Sequence, residues 1–590
     1  MKFIVGIDLG TTNSVVACVD ADSDGAAIRL VELPQLVSPG SVEARTSLPS
    51  FLYLPAAAEL AGDGLSLPWA ARRDYAVGLY AQKRGAEVPD RVVASAKSWL
   101  SHRGVDRTAG ILPWGGPDDV AKLSPVEVSA RYLAHIREAW DAAVPTAPLA
   151  EQEVLVTVPA SFDEVARELT TRAAHDAGLP DITLLEEPQA AFYAWIDGLG
   201  DAWRDAVQVG DRILVCDVGG GTTDLSLIAV GEEEGALRLE RVAVGDHILL
   251  GGDNMDLALA YRVAARLQEN GTALDAWQFR GLIQSCRAAK ERVLDAHKPA
   301  DTVPVSILAR GSKLIGKTTR FDISRADVEE SLVDGFFPRV ALDDRLVEQP
   351  RAGLQELGLP YASDPAVTRH IAHFLRTHGD ADGPARPTAI LFNGGVMAAA
   401  ALRRRTLDVI GAFGGDAREL AGVDLHHAVA RGAAYYGLAR RGRGVRIRGG
   451  TARSFYIGIE TAMPAVPGMR PPIKALCVVP QGLEEGSDVA LPAREFGLAV
   501  GQPVEFRFLC SSNRRDDVVG TILDRWDAGE VDELAPVATS LEWEGREGAT
   551  VPIHLEARVN ELGVLELWCV SRDDERRWKL EFNVRAERTS

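Results

Sequence analysis

The chain has no uninterrupted apolar run long enough to span a bilayer. Only about five apolar residues precede Asp8, too few for the hydrophobic core of a secretory leader. A cytoplasmic, soluble protein with no membrane partner is therefore expected. A basic excess is also missing: 64 Lys and Arg stand against 84 Asp and Glu, a net charge of −20. A general nucleic-acid binder needs a basic face for phosphates, so nucleic acid is not expected as a partner. Paired cysteine motifs are absent too. Cys18, Cys216, Cys286, Cys477, Cys510 and Cys569 are scattered, without C-x-x-C, and several fall in apolar strand-like runs. That argues against a zinc or disulfide framework and for reduced, small core residues. At 590 residues the chain is too long for one hydrophobic core, so several domains are expected.

What is present is a repeated turn. Asp8-Leu9-Gly10-Thr11-Thr12-Asn13-Ser14 follows the apolar run Phe3-Ile4-Val5-Gly6-Ile7. Asp217-Val218-Gly219-Gly220-Gly221-Thr222-Thr223-Asp224 follows Ile213-Leu214-Val215-Cys216. In both, a buried strand delivers an aspartate, then glycines, then hydroxyls. Glycine lets the backbone approach an anion closely, and successive N–H groups in such a turn make an anion site. An aspartate at the strand end can hold a divalent cation against phosphate charge, directly or through water. Two such turns suggest a nucleotide clamped between two lobes.

From Met1 to about Gly444 predicted strands and helices alternate, which favours α/β architecture. Glu153 to Val158 reads as a strand ending at Pro159. Before it, Ser124, Pro125 and Glu127 predict a capped helix start, and Val128, Tyr132, Ile136 and Trp140 make one apolar stripe. A further helix is expected after Asp256, stopped by Asn270-Gly271. Residues Thr377 to Pro384 read as a surface loop. The Gly/Arg-rich stretch 441–452 reads as a linker, solvated or facing an anionic partner, with one domain over 1–440 and another over 453–590. Beyond it the period changes to two. Val551, Ile553, Leu555, Ala557 and Val559 alternate with mostly polar residues, as do Trp578, Leu580, Phe582 and Val584, and also Val504, Phe506 and Phe508. These predict half-buried antiparallel strands in an all-β sandwich of about 140 residues. Such a sheet could bind an extended peptide along an edge or groove, or serve only as structure.

These residues resemble the 70-kDa heat-shock chaperones, the DnaK-type family, whose ATPase domain is two-lobed and actin-like (ribonuclease H-like). Gly6 to Ser14 resembles that family's first phosphate motif and Asp217 to Asp224 its second. Leu185-Glu186-Glu187-Pro188-Gln189-Ala190-Ala191 is similar to the connecting motif with its catalytic glutamate. Gly251-Gly252-Asp253-Asn254-Met255-Asp256 resembles the segment after the second phosphate loop, Asn393-Gly394-Gly395 the adenosine turn, and His427 to Ala434 the closing helix. Tyr456 to Thr461 is similar to the start of the substrate-binding sandwich. The likeness covers most of 1–440 and, more weakly, about 450–590.

The resemblance implies ATP or ADP with Mg2+ as ligands. It implies Asp8 and Asp217 as holders of magnesium through water, Glu187 as the residue that orients or deprotonates the attacking water, and Thr222 and Lys83 near the chemistry. Gly10, Thr11, Thr12, Asn13, Gly219, Gly220, Gly221 and Thr223 would line the phosphates. Gly251, Gly252 and Asp253 would also contact the nucleotide, with Lys290 at the ribose and Gly394 and Gly395 at the adenosine. Implied partners are unfolded or extended polypeptides, a J-domain co-chaperone and a nucleotide exchange factor.

The chain also departs from the family. At the spacing of the catalytic lysine after Val77-Gly78 stands Gln82, with Lys83 next. Val396-Met397-Ala398 replace the arginine after the adenosine glycines, and Arg287 stands where relatives have an acid. The linker's apolar run shrinks to Val445 and Ile447, and no helical lid is expected after the sandwich. The readings that follow are an ATP-dependent chaperone, a nucleotide-gated scaffold with little hydrolysis, and, as the third, a small-molecule kinase.

Overall fold

Two mixed sheets with one shared plan carry most of the chain. The computed structural model describes residues 1–590 apart from 24, 118, 234–235, 296–297, 308–318, 348–357, 380–382, 444, 446, 448–450, 452, 462–471, 482, 484–487, 492–493, 501–502, 512, 515, 528, 535–536, 541–549, 560–564, 573–575 and 583–590. In the first sheet, β1 (Phe3–Leu9) turns through Gly10-Thr11-Thr12 into antiparallel β2 (Asn13–Asp20), which pairs with short β3 (Arg29–Leu30). On its other edge β1 runs parallel to β4 (Glu153–Val158), and β4 parallel to β5 (Ile182–Glu186). The second sheet repeats this order. There β6 (Arg212–Val218) turns into antiparallel β7 (Thr223–Glu233), which pairs with β8 (Ala236–Val244). On the far side β6 runs parallel to β9 (Ala389–Asn393), and β9 to β10 (Arg418–Glu419). The central strands are buried along nearly their whole length, which is why they read as continuous apolar runs.

The helices that position the site are α1 (Ala96–Leu100), α2 (Pro125–Ala143), α3 (Glu187–Leu199), α4 (Gly252–Glu269), α5 (Ala276–Val293) and α6 (Ala428–Arg440). One apolar seam joins the two sheets through α3 and α6. It contains Ile4 and Leu155 from the first sheet, Val215 and Leu391 from the second, and Phe192 and Ala433 from the helices. The predicted capping box of α2 is present: Glu127 N donates to Ser124 Oγ (3.1 Å) and Ser124 N to Glu127 Oε2 (2.7 Å). Its stripe Val128, Tyr132, Ile136 and Trp140 is buried. The helix expected after Asp256 starts earlier, at Gly252, because Gly251 N donates to Asn254 Oδ1 (2.9 Å) and brings residues 253–256 into the first turn.

The Gly/Arg stretch is not a solvated connector where it is described; Gly444, Arg446, Arg448, Gly449 and Gly450 lie outside the described residues. Arg441 pairs with Glu153 (2.7 Å) and Arg443 donates to the Ala21 carbonyl (2.9 Å). Ile447 is buried, and its N–H donates to the Tyr193 hydroxyl (2.8 Å). Beyond it two antiparallel sheets face each other across a shared core that includes Phe455, Leu476, Phe508, Ile553, Leu555 and Leu567. The expected single strand through Val504, Phe506 and Phe508 is two strands. Pro503–Phe506 pairs within one sheet and Phe508–Ser511 within the other. Arg507 makes the corner: its carbonyl accepts from Gly458 N (2.7 Å) and its guanidinium holds Glu533 (2.6 Å). Val584 lies outside the described residues. All six cysteines are buried and free. Among the described residues no helix is long and apolar enough to cross a membrane.

Candidate functional site

The two glycine-threonine turns meet face to face. A Cβ at Gly220 would overlap Thr12 Oγ1, and one at Gly221 would lie 2.8 Å from both Thr11 Cγ2 and Ser98 Oγ. Glycine is required here because the opposing turn occupies the space a side chain would need. The second turn is fixed by its own bonds: Gly219 N donates to Thr222 O (2.9 Å), Gly252 N to Gly219 O (3.0 Å) and Asp253 N to Gly220 O (2.7 Å). Thr223 Oγ1 donates to Leu250 O (2.7 Å). In the first turn the Gly10 carbonyl accepts from Ser50 Oγ (2.7 Å), while Asn13 opens β2 and is exposed. Two buried hydroxyls at the junction, Thr12 Oγ1 and Ser98 Oγ, have no hydrogen-bond partner among the described residues. Such orphan donors are rare inside proteins and mark a place for polar ligand atoms.

Charge gathers at the same point. Asp8 ends β1, Asp217 ends β6, and Glu187 starts α3. Burial, reinforced by the charge of Glu187, pushes the Asp8 carboxyl up to about 7, even though Thr157 Oγ1 donates to it (3.3 Å). Asp217 is raised well above the usual carboxylate range by burial and by Glu187, Asp224 and Asp8, although Asn393 Nδ2 donates to it (2.6 Å). Burial also raises Glu187, and Lys97, which donates to Glu187 Oε1, opposes this. Four carboxylates, Asp217, Asp224 and Glu187 buried and Asp8 half-buried, thus share one nearby ammonium, a charge imbalance that a cation would relieve. Among the described residues no three His, Cys, Asp or Glu side chains converge to bind an ion directly.

Neighbouring elements hold Glu187 in place. The preceding Glu186 is clamped by Arg167 (2.8 Å) and by Arg241, and Pro188 sits in the first turn of α3. Asp224 accepts from Ser161 Oγ, which lies 2.7 Å from His247 Nδ1, and His247 Nε2 lies 2.8 Å from Ser101 Oγ. Burial pushes His247 down to about 4, so the ring is neutral and can donate through one nitrogen while accepting through the other.

The remaining residues assigned to the nucleotide also converge. Gly251 sits against the Gly219 and Gly220 carbonyls, where a Cβ would lie 2.7 Å from each. Lys290, on α5, is buried; it donates to Gly252 O (3.1 Å) and pairs with Asp256 (2.6 Å). Arg287 bonds Asp256 (2.7 Å) and Asp253, so it balances the acids of α4. Gly394 has φ 86° and abuts the Val218 carbonyl, a conformation and fit suited to glycine alone. Gly395 opens the turn that carries Val396, and a Cβ at Gly252 would lie 3.3 Å from Val396 Cγ2. One predicted residue is not brought here: exposed Lys83 donates to the Val37 carbonyl (2.9 Å). Sequence reasoning missed Lys97, Ser98 and the Ser161–His247 link. Nothing in the run Ala96-Lys97-Ser98-Trp99-Leu100 marks its lysine as inward-facing.

A family model described as Hsp70 protein matches residues 90–343. The chain is 29% identical over 370 residues to the "Chaperone protein HscA homolog" of Bordetella pertussis, covering 61% of this chain and 50% of that protein. It is 30% identical over 364 residues to "Chaperone protein DnaK" of Stenotrophomonas maltophilia, covering 58% and 51%. It is 33% identical over 372 residues to the HscA homolog of Variovorax paradoxus, covering 61% and 50%. The chain thus spans about half the length of these curated relatives.

Proposed function

We infer from these matches that the chain is an Hsp70-family protein, and from that premise we propose that it binds and hydrolyses ATP between two actin-like lobes spanning about residues 1–440. We further propose that this cycle controls how the following sandwich, about 453–590, holds extended polypeptide segments. The observation that carries the reading is the junction of the two turns. There, unpartnered buried hydroxyls face the glycine backbones, beside three buried acids and the half-buried Asp8 with too little positive charge.

In this reading Thr11, Thr12, Gly220, Gly221 and Thr222 donate to phosphate oxygens, while Gly219, whose N–H is held by the Thr222 carbonyl, shapes the turn they approach. Asp8 and Asp217 would hold Mg2+, and the ion would supply positive charge against the phosphates. Glu187 accepts a hydrogen bond, and then the proton, from the attacking water. As the water oxygen bonds to the terminal phosphorus, the bond to the bridging oxygen breaks and its electron pair leaves with ADP. Positioning and charge do most of this work, because phosphoryl transfer needs little covalent help from protein. The raised Glu187 carboxyl suits it to take a proton. Lys290 and the glycines 251, 252, 394 and 395 bound the nucleoside end. A J-domain co-chaperone and a nucleotide exchange factor are the partners this cycle would use.

The test is single-turnover hydrolysis of ATP with and without an unfolded apolar peptide. Turnover should rise with peptide, fall about a hundredfold or more in Glu187→Ala, and vanish when EDTA removes Mg2+. Tight ATP binding without turnover would replace the ATPase with a nucleotide-gated scaffold. Consumption stimulated by a sugar and not by peptide would move the assignment to a small-molecule kinase.

A further inference from the structure

We propose that Lys97 is the cation that meets the terminal phosphate of bound ATP, with the Ser98 hydroxyl beside it as a second phosphate donor. This rests on the ATP reading above. The residue at the expected lysine spacing is Gln82, half-exposed on the helix Leu79–Glu87. Its neighbour Lys83 is spent on a backbone carbonyl of the strand Leu33–Ser38. Neither places a charge among the catalytic carboxylates. Lys97 does. Its side chain is 6% exposed and donates to Glu187, and its charge acts on Asp8, Glu187 and Asp224. An ammonium has more N–H donors than Glu187 takes up, and a compact point charge suits phosphate. The Phe162 ring, 6.0 Å from Nζ, backs it.

The segment that delivers Lys97 is pinned across the site. Ser95 holds a left-handed backbone (φ 55°), the only non-glycine to do so among the described residues. Its hydroxyl donates to Asp253 Oδ2 of α4 (2.6 Å). At the other end of α1, Ser101 Oγ meets His247 (2.8 Å). Both anchors belong to the half of the molecule that carries the second turn. Between them Ser98 is 2% exposed, and its Oγ lies without a partner against Gly221. Lys97 and Ser98 therefore approach the second turn from the side of the first, where a terminal phosphate between the turns would lie. Without phosphate the ammonium pairs with Glu187. With phosphate it shares its donors, which frees the Glu187 carboxylate for water.

The experiment is calorimetric titration of ATP and of ADP, both with Mg2+, into the full chain and its variants. Lys97→Met should weaken ATP binding by about tenfold or more beyond its effect on ADP, and Lys97→Arg should keep part of the preference. Because Lys97→Met strands a buried carboxylate and could unfold the site, the same comparison is made in Glu187→Gln, where that carboxylate is neutral. There Lys97→Met/Glu187→Gln should again lose the ATP preference that Glu187→Gln alone retains. An unchanged ATP-to-ADP ratio in both backgrounds overturns the assignment, as does loss of the preference in Lys83→Met instead. A parent protein that binds neither nucleotide overturns the ATP reading itself, and this assignment with it.

Discussion

His135 shows how a single buried residue ties stability to pH. It lies on α2, with Arg73 Nη1 3.1 Å from Nδ1 and the Pro34 carbonyl 3.1 Å from Nε2. Burial first, then Arg73, push it down to about 3, so the ring stays neutral, accepting from Arg73 and donating to Pro34. In the unfolded chain the same ring takes up a proton near 6.5. The folded state therefore binds fewer protons below that value. Its stability is whole above pH 6.5 and is lost as pH falls toward 3, by about 1.4 kcal/mol per unit from this residue. Urea unfolding at pH 7 and pH 5 should show a smaller drop in His135→Gln than in the parent; equal drops would refute this. At this scale the sequence was readable where a residue type sits in a telling frame. Asp8 and Asp217 end apolar runs and precede glycines, so their place at strand ends could be read. Lys97 could not, because a lysine's letter does not say whether its ammonium turns inward. Counting from Val77-Gly78 leads to Gln82, with Lys83 only the nearest lysine, since spacing gives position along a helix and not what the side chain meets.

At the scale of elements, the crossing of α3 and α6 depends on Gly432. A Cβ there would overlap the carbonyl of Ala190. In an open helix Gly→Ala would stabilise by about 1 kcal/mol. Here the helices must part instead, and Gly432→Ala should cost about 1–3 kcal/mol, read as a lower urea midpoint. A stabilised variant would show that the two helices are free to separate without loss. Helix and strand patterns were legible where local chemistry decides: the Ser124 capping box and the strand Glu153–Val158 both stand as read. They failed where tertiary contacts decide. Alternation through Val504, Phe506 and Phe508 gives the buried face but not which sheet owns it, so the corner at Arg507 left no mark.

Over the whole molecule the repeated turn is matched by a repeated sheet, and both sheets have the same strand order. The docking of the Gly/Arg stretch was not foretold. Its composition reads as solvated, but Tyr193 and Glu153, distant in sequence, supply its partners. Tyr193→Phe removes the acceptor for the Ile447 N–H while keeping the ring. The Ile447 amide should then exchange with solvent about tenfold faster or more. Unchanged exchange would mean that packing alone holds the segment.

The facing turns also bear on how long the protein lasts. A molecule bonded to both turns joins the two halves of the fold, so its abundance helps set their cohesion. At about a hundredfold excess over its Kd, such a ligand adds about 2.7 kcal/mol to the folded state. The melting temperature should climb with the logarithm of nucleotide concentration. On the proposed function, the chain without nucleotide would be looser and more open to proteolysis than the same chain saturated with it.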